Sequence, residues 1–304
     1  MVASDRAFGP AAEYLHAFWG SAVAVATLRQ HCQPAGRRRA AGPPASSAVA
    51  AVFARAGGAG ACQLDAAKVN TPEAWCAFPV ACFAKRPRGA AVSVAAWDQR
   101  PRPARPARPL VAALEPIAVF HKRGRPRAVW LGVTEPPAVH ARGDGAAWLW
   151  NAVDRPFPGS RQPRDVYHGH EHSGNATQAW YGEGTPAATA SFERGQRALV
   201  ERAWPGVCTS GGEEFAGGDT PARRAARQDR LGSFAKPVGR LDYRGGRAAG
   251  GALGSGLVEG NIQPRGLRRK TREARKRVGD VAKRAGRGGL RHSTYWEADW
   301  QSPN

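Results

Sequence analysis

The sequence predicts an α/β fold, and three observations carry that expectation. From Leu110 onward, short apolar runs of strand length alternate with segments that open on helix-start signals. Two of those starts place threonine ahead of a proline at the first helical position, at Thr185-Pro186 and Thr220-Pro221. The run from Arg100 to Pro109 holds four prolines in its last nine positions, which excludes helix and central strand and reads as an extended basic linker. The linker suggests three parts: residues 1–110, an N-terminal region of uncertain fold; 111–260, the folded core; and 261–304, a basic C-terminal tail. The first and last lack periodic apolar faces and are expected to be poorly ordered and to pack loosely.

In chain order, Ala11–Leu28 has helical character, and Ala45–Ala56 is an Ala/Val run that fits either element type. Pro116–Phe120 (PIAVF) and Ala128–Val133 (AVWLGV) have the length and composition of strands. Ala138–Arg142 leads into a turn at Gly143-Asp144-Gly145, and Ala146–Val153 follows as a helix. Its Trp148 and Trp150 belong to an apolar face, so they read as core and not as base-stacking platforms. One helix is expected from Thr185-Pro186 to Ala203, and another from Thr220-Pro221 toward Phe234. Gly245 to Gly256 reads as glycine-rich and flexible.

Composition narrows the function. The 304 residues carry 45 Lys+Arg against 24 Asp+Glu, a net charge of +21. Such an excess calls for a polyanionic partner, of which nucleic acid is the commonest. The basic residues are overwhelmingly Arg, and Ala, Gly and Pro abound, which is also the codon footprint of GC-rich DNA. No stretch reaches the ~20 apolar residues that cross a bilayer. Ala17–Leu28 is short and broken by Gly20 and Ser21, and Asp5 and Glu13 stand where a secretory leader needs positive charge. The five cysteines (Cys32, Cys62, Cys76, Cys82, Cys208) form neither a disulfide framework nor a zinc knuckle. A cytoplasmic protein with reduced thiols and no membrane partner is expected.

Three stretches hold side chains suited to chemistry. Asp144, between two glycines and ahead of a helix, is either a turn residue capping that helix or an oxygen ligand for a hard divalent cation. Phe157-Pro158-Gly159 and Arg161-Gln162 precede Asp165-Val166-Tyr167-His168 and Glu171-His172. Asp165 and His168, three apart, share a face at a helix start. His168, His170 and His172 converge on a strand but fan out on a helix, which argues against a dedicated zinc site. Third, Glu259 in Gly254-Ser255-Gly256-Leu257-Val258-Glu259-Gly260 either points from a first helical turn into a cleft or complements the helix dipole.

Taken in order, G-D-G-A-x-W-x-W-N, F-P-G-x-x-Q, D-x-Y-H-x-x-E-H and G-S-G-x-V-E-G resemble bacterial insertion-sequence transposases of the DDE type. The likeness is to the Kra-type group, related to the Mutator-like transposases. Tyr181-Gly182-Glu183-Gly184-Thr185, Phe192-Glu193-Arg194, Leu231-Gly232-Ser233-Phe234 and Leu241-Asp242-Tyr243 fit it too. The resemblance covers about residues 138–260. It implies a ribonuclease-H-like core, a mixed sheet flanked by helices. It makes Asp144 the second catalytic aspartate and Glu259 the third acidic residue, and Asp165, Tyr167 and His168 the D-x-Y-H junction. The carboxylates of such enzymes hold Mg²⁺ (or Mn²⁺) for attack by water or a 3′-hydroxyl on a phosphodiester. Asp144 and Glu259 are the metal ligands this implies. The family's first aspartate ends an upstream strand, usually as D-G. No D-G precedes Asp144, and Asp98, three positions past Ala95, is the nearest stand-in.

Residues 261–290 carry eleven Lys/Arg against Glu273 and Asp280. Arg268, Arg269, Lys270, Arg275, Lys276 and Arg277 are candidate phosphate contacts, although a charge run is equally a solvated segment. The reading is a transposase acting on the ends and target of an insertion sequence, with its activity and homo-oligomerisation left open. The alternatives are a non-catalytic basic nucleic-acid-binding protein, with Asp144 and Glu259 as caps, and a decayed or partly frameshifted transposase remnant.

Overall fold

A computed structural model describes residues 8–41, 47–70, 73–94, 96–97, 99–101, 110–112, 117–133, 140–142, 147–154, 160, 164–201, 214–215, 220–235 and 240–258. They form a mixed helix-and-strand structure. Helices α1 (Phe8–Trp19), α2 (Val25–Ala41) and α3 (Ser47–Arg55) precede two long strands, β1 (Ala59–Asn70) and β2 (Trp75–Arg86). Then come β3 (Leu110–Ala112), α4 (Ile117–Trp130), β4 (His140–Arg142) and α5 (Ala147–Asp154). The chain continues through α6 (Val166–Tyr181), α7 (Pro186–Glu201), α8 (Pro221–Ala235) and α9 (Tyr243–Ala248). The helical stretch expected over Ala11–Leu28 is two helices, divided at Gly20, whose φ of +63° lies in the left-handed region that glycine alone adopts readily.

The four strands lie in the order β3-β2-β1-β4. β1 and β2 pair antiparallel along their whole length, from Ala59 opposite Arg86 to Asn70 opposite Trp75. β3 runs antiparallel to β2, whereas β4 runs parallel to β1, with Ala61, Cys62 and Gln63 opposite His140, Ala141 and Arg142. The sheet therefore crosses the position where the sequence suggested a boundary. Residues 59–86, expected to pack loosely, form its centre. Alanine and cysteine give β1 a weak apolar signal by themselves, but pairing with Phe78, Val80, Cys82 and Phe83 of β2 buries residues 61–64 and 78–84.

Side chains alternate across a strand, so β1 faces two environments. Cys62 and Leu64, with Ala81 and Phe83 of β2, pack against Phe53 of α3, Phe120 and Ala128 of α4, and Leu149, Trp150 and Val153 of α5. Gln63 and Asp65 project to the opposite side. The PIAVF and AVWLGV runs, expected as strands, belong to α4 and the turn after it. Phe120, Ala128 and Leu131 are buried while Val119 and Val129 are exposed, a helical spacing that short apolar runs do not reveal.

The two Thr-Pro signals are met as expected. Thr185 Oγ1 accepts from the Ala188 amide at 3.1 Å ahead of α7, and Thr220 Oγ1 accepts from the Arg223 amide at 3.3 Å in the first turn of α8. Helix α6 packs against both α7 and α8 through small residues (Gly169, Ser173, Ala176, Thr177) that let the helices approach closely. Below it, Val166, Leu199, Val200, Leu241, Tyr243, Leu253 and Trp97 form a second core. The glycine-rich segment after Gly245 is not a flexible linker but a tightly folded one. Gly89 donates to the Gly250 carbonyl at 3.0 Å and Gly251 donates to Gly246 at 2.8 Å. A Cβ on Gly250 would overlap the Gly89 carbonyl, so glycine serves here for close backbone approach. Among the described residues, no helix is long and apolar enough to cross a membrane.

Candidate functional site

The site is built outward from a buried glutamine. Gln63 is 4% exposed, on the β1 face opposite the main core, and both polar atoms of its amide are hydrogen-bonded. Its Nε2 donates to the Gly254 carbonyl at 3.2 Å, and its Oε1 accepts from the amides of Leu257 at 2.9 Å and Val258 at 3.1 Å. One side chain thus docks the 254–258 turn onto the middle of β1, more than 190 residues away in sequence. Two positions along the same strand face stands Asp65, half-buried, with its Oδ1 accepting from the Ala66 amide at 2.7 Å.

The same turn is gripped from its other side by Asp165. This carboxylate is 1% exposed and caps α6, its Oδ1 accepting from the Tyr167 amide at 2.7 Å. Its Oδ2 accepts from the Ser255 amide at 2.8 Å and from the Ser255 hydroxyl. The Val166 amide adds a bond to the Leu253 carbonyl at 3.0 Å. A continuous set of hydrogen bonds therefore joins the start of α6, the Gly254-Ser255-Gly256 turn and β1. Both oxygens of Asp165 are engaged in holding the two segments together and in capping the helix. Tyr167 lies over Gly254, where a Cβ would meet its ring at 2.5 Å.

The three histidines of α6 separate by helical position. His170 turns toward α7, where Gln196 Nε2 lies 3.3 Å from its Nδ1 and Phe192 meets its ring edge-on. His168 and His172, four apart, do meet: their Nε2 atoms are 3.2 Å apart. His172 Nδ1 lies 2.6 Å from Asp229 of α8, and His168 Nδ1 lies 3.3 Å from Glu171.

The sequence-derived motifs D-x-Y-H and G-S-G-x-V are thus brought together through Asp165 and Ser255, 90 positions apart. Asp144, Glu259 and Asp98 lie outside the described residues, as do Arg268, Arg269, Lys270, Arg275, Lys276 and Arg277. Among the described residues, no group of three or more His, Cys, Asp or Glu side chains is arranged to hold a metal. Two arginines of α8 are turned to packing: Arg223 donates to the Trp180 carbonyl at 2.7 Å, and buried Arg230 lies over the Phe215 ring at 4.9 Å. On the core face of β1, burial and then the neighbouring Cys82 push the Cys62 thiol well above its ordinary range.

Sequence reasoning missed Gln63 and Asp65. The available signal was the alternation Cys62, Gln63, Leu64, Asp65, apolar and polar by turns over strand length. Comparison with protein-family models finds no match to this chain, and comparison with curated proteins finds none either.

Proposed function

We propose that the chain is a DDE-type insertion-sequence transposase with a ribonuclease-H-like core, and that Asp65, in place of Asp98, is its first catalytic carboxylate. The observation that carries this reading is the parallel register of β1 and β4. Gln63 stands opposite Arg142, and counting two residues on from each partner arrives at Asp65 and at Asp144. The turn that Gln63 holds supplies the third member of the set. Val258 is bonded to Gln63, and Glu259 is the next residue, with consecutive Cα atoms ~3.8 Å apart. A mixed sheet with helices against it is in keeping with a ribonuclease-H-like core. The first aspartate is then on an upstream strand, as the resemblance requires, although Ala66 replaces the expected glycine.

Three carboxylates on a strand, after a strand end and after a docked turn suit a hard divalent cation, which prefers oxygen ligands. Bound there, Mg²⁺ (or Mn²⁺) supplies Lewis-acid chemistry for phosphodiester cleavage and strand transfer. The protein's own residues keep the ligands in place. Gln63 fixes the spacing of the turn from β1, and Asp165 fixes the same turn against α6. The net charge of +21 suits a DNA substrate, with phosphates bound through the 261–290 tract.

The test is nicking of supercoiled or terminal-repeat DNA with Mg²⁺ or Mn²⁺ by the full chain. Asp65→Asn and Asp144→Ala are each expected to abolish cleavage while DNA affinity stays within about twofold of wild type. Cleavage by Asp65→Asn at the wild-type rate overturns the assignment of Asp65. Absence of cleavage by the wild type, with DNA bound in a salt-dependent way, favours the non-catalytic binding protein or the decayed transposase.

A further inference from the structure

We infer that His168 and His172 form a two-imidazole clamp for a borderline divalent metal of the Zn²⁺ class, separate from the carboxylate site. The far ring nitrogens face carboxylates. Asp229 lies 2.6 Å from His172 Nδ1, and Glu171 lies 3.3 Å from His168 Nδ1. A carboxylate at Nδ1 favours the neutral tautomer that carries its proton there, in which Nε2 presents a lone pair. Those two Nε2 atoms face each other at 3.2 Å. Rings at that distance are held either by one N–H···N hydrogen bond or, with both Nε2 atoms deprotonated, by a metal ion between them. Zn–N bonds of ~2.0–2.1 Å in tetrahedral geometry place two imidazole nitrogens about 3.3 Å apart, close to the separation observed.

The surroundings fit a ligand pair. A ligating histidine almost always donates its other ring N–H to a carboxylate or carbonyl, which orients the ring and raises its basicity. His172 has such a partner in Asp229, and His168 in Glu171. The clamp bridges no buried space: the His168 and His172 side chains are 31% and 18% exposed, so the ion is reached from solvent and completes its shell with water. Imidazole suits Zn²⁺, Cu²⁺ and Ni²⁺ and is a poor ligand for Mg²⁺, so the clamp and the carboxylate site select different ions. Because Asp229 belongs to α8 and both histidines to α6, metal binding also strengthens the packing of these two helices.

The experiment is Zn²⁺ titration of the untagged full chain by calorimetry in excess Mg²⁺, which fills the hard oxygen sites, with Co²⁺ absorption reporting ligand type. One Zn²⁺ equivalent is expected, with affinity reduced at least about 100-fold in His168→Gln and in His172→Gln. Asp229→Asn is expected to weaken binding by about 10–100-fold, as removal of an outer-shell carboxylate does. His31→Gln, an exposed site on α2, should leave affinity unchanged. The Co²⁺ spectrum should lack the near-ultraviolet charge-transfer band of thiolate ligation. No Zn²⁺ uptake, equal affinity in wild type and both clamp variants, or a thiolate band overturns the inference. Uptake failure would mean that the two rings share a proton instead. If a histidine variant does not fold, the Asp229→Asn affinity and the wild-type Co²⁺ spectrum decide. Neither readout depends on DNA cleavage.

Discussion

Gln63→Leu tests whether one buried side chain positions the turn that precedes Glu259. Leucine is close in volume to glutamine, so the substitution leaves little cavity and isolates the polar contribution. Gln63 makes three hydrogen bonds, to the Gly254 carbonyl and the Leu257 and Val258 amides. At a net ~0.5–1.5 kcal/mol each, their removal costs about 1.5–4.5 kcal/mol. The Val258 amide also reaches the Ser255 carbonyl at 2.9 Å, which draws the expectation toward the middle of that range. Against a total stability of roughly 5–15 kcal/mol for a typical domain, the loss is large enough for urea denaturation to resolve. Hydrogen exchange gives the location: the Leu257 and Val258 amides should exchange faster, while those at the centre of β2 keep their protection relative to global unfolding. DNA cleavage should fall more than DNA binding. A stability change under ~0.5 kcal/mol, with both amides still protected, would refute the idea that Gln63 docks the turn.

Other substitutions probe the same framework. Asp165→Ala removes an N-cap worth ~0.5–2 kcal/mol and two bonds to Ser255 worth ~0.5–1.5 kcal/mol each, so a loss of about 1.5–5 kcal/mol is expected by chemical denaturation, with Asp165→Asn milder. Gly250→Ala should destabilise by more than ~2 kcal/mol, because φ is +65° and the new methyl overlaps the Gly89 carbonyl. Gly232→Ala, in α8 with nothing within 4 Å of a Cβ, should instead stabilise by up to ~1 kcal/mol. Cys62 gives a pH test. Burial and Cys82 raise its pKa in the folded state, so the unfolded thiol ionises first as pH passes its ordinary value of 9.0. The stabilising contribution is complete below that pH and declines above it by up to ~1.36 kcal/mol per pH unit, a slope that Cys62→Ala should lack.

Those parts of the fold that rest on local chemistry were legible in the sequence. The Thr-Pro helix starts at 185 and 220, the helix after residue 146 and the helix start at Asp165 all depend on neighbours within a few residues. Features that depend on distant partners were not. Phe120 and Leu131 read as strand residues because a short apolar run has no period of its own, and only packing against Leu149 and Val153 makes their helical spacing visible. The glycine-rich stretch read as flexible because glycine permits both freedom and close approach, and the choice between them was made by Gly89, some 160 residues upstream.

The candidate site divides along the same line. Asp165 was singled out by its motif, but its work is different from what an isolated acidic residue suggests: both its oxygens accept hydrogen bonds, Oδ1 from Tyr167 and Oδ2 twice from Ser255. A buried carboxylate that joins a helix start to a turn through two backbone amides and a hydroxyl acts as a positioning residue. Asp65 was the reverse case in the sequence. Nothing in QLDAAKV marks it as special, and no motif contains it. What distinguishes it is address: it shares a strand face with Gln63, lies two residues past the partner of Arg142, and stands two residues from the glutamine that docks the turn ahead of Glu259. An address of this kind is created by strand register, and a slip of one residue would turn Asp65 into the apolar core in the place of Leu64. Gln63 cannot occupy both faces, so the three bonds that it makes also lock the register that keeps Asp65 on the side of the turn.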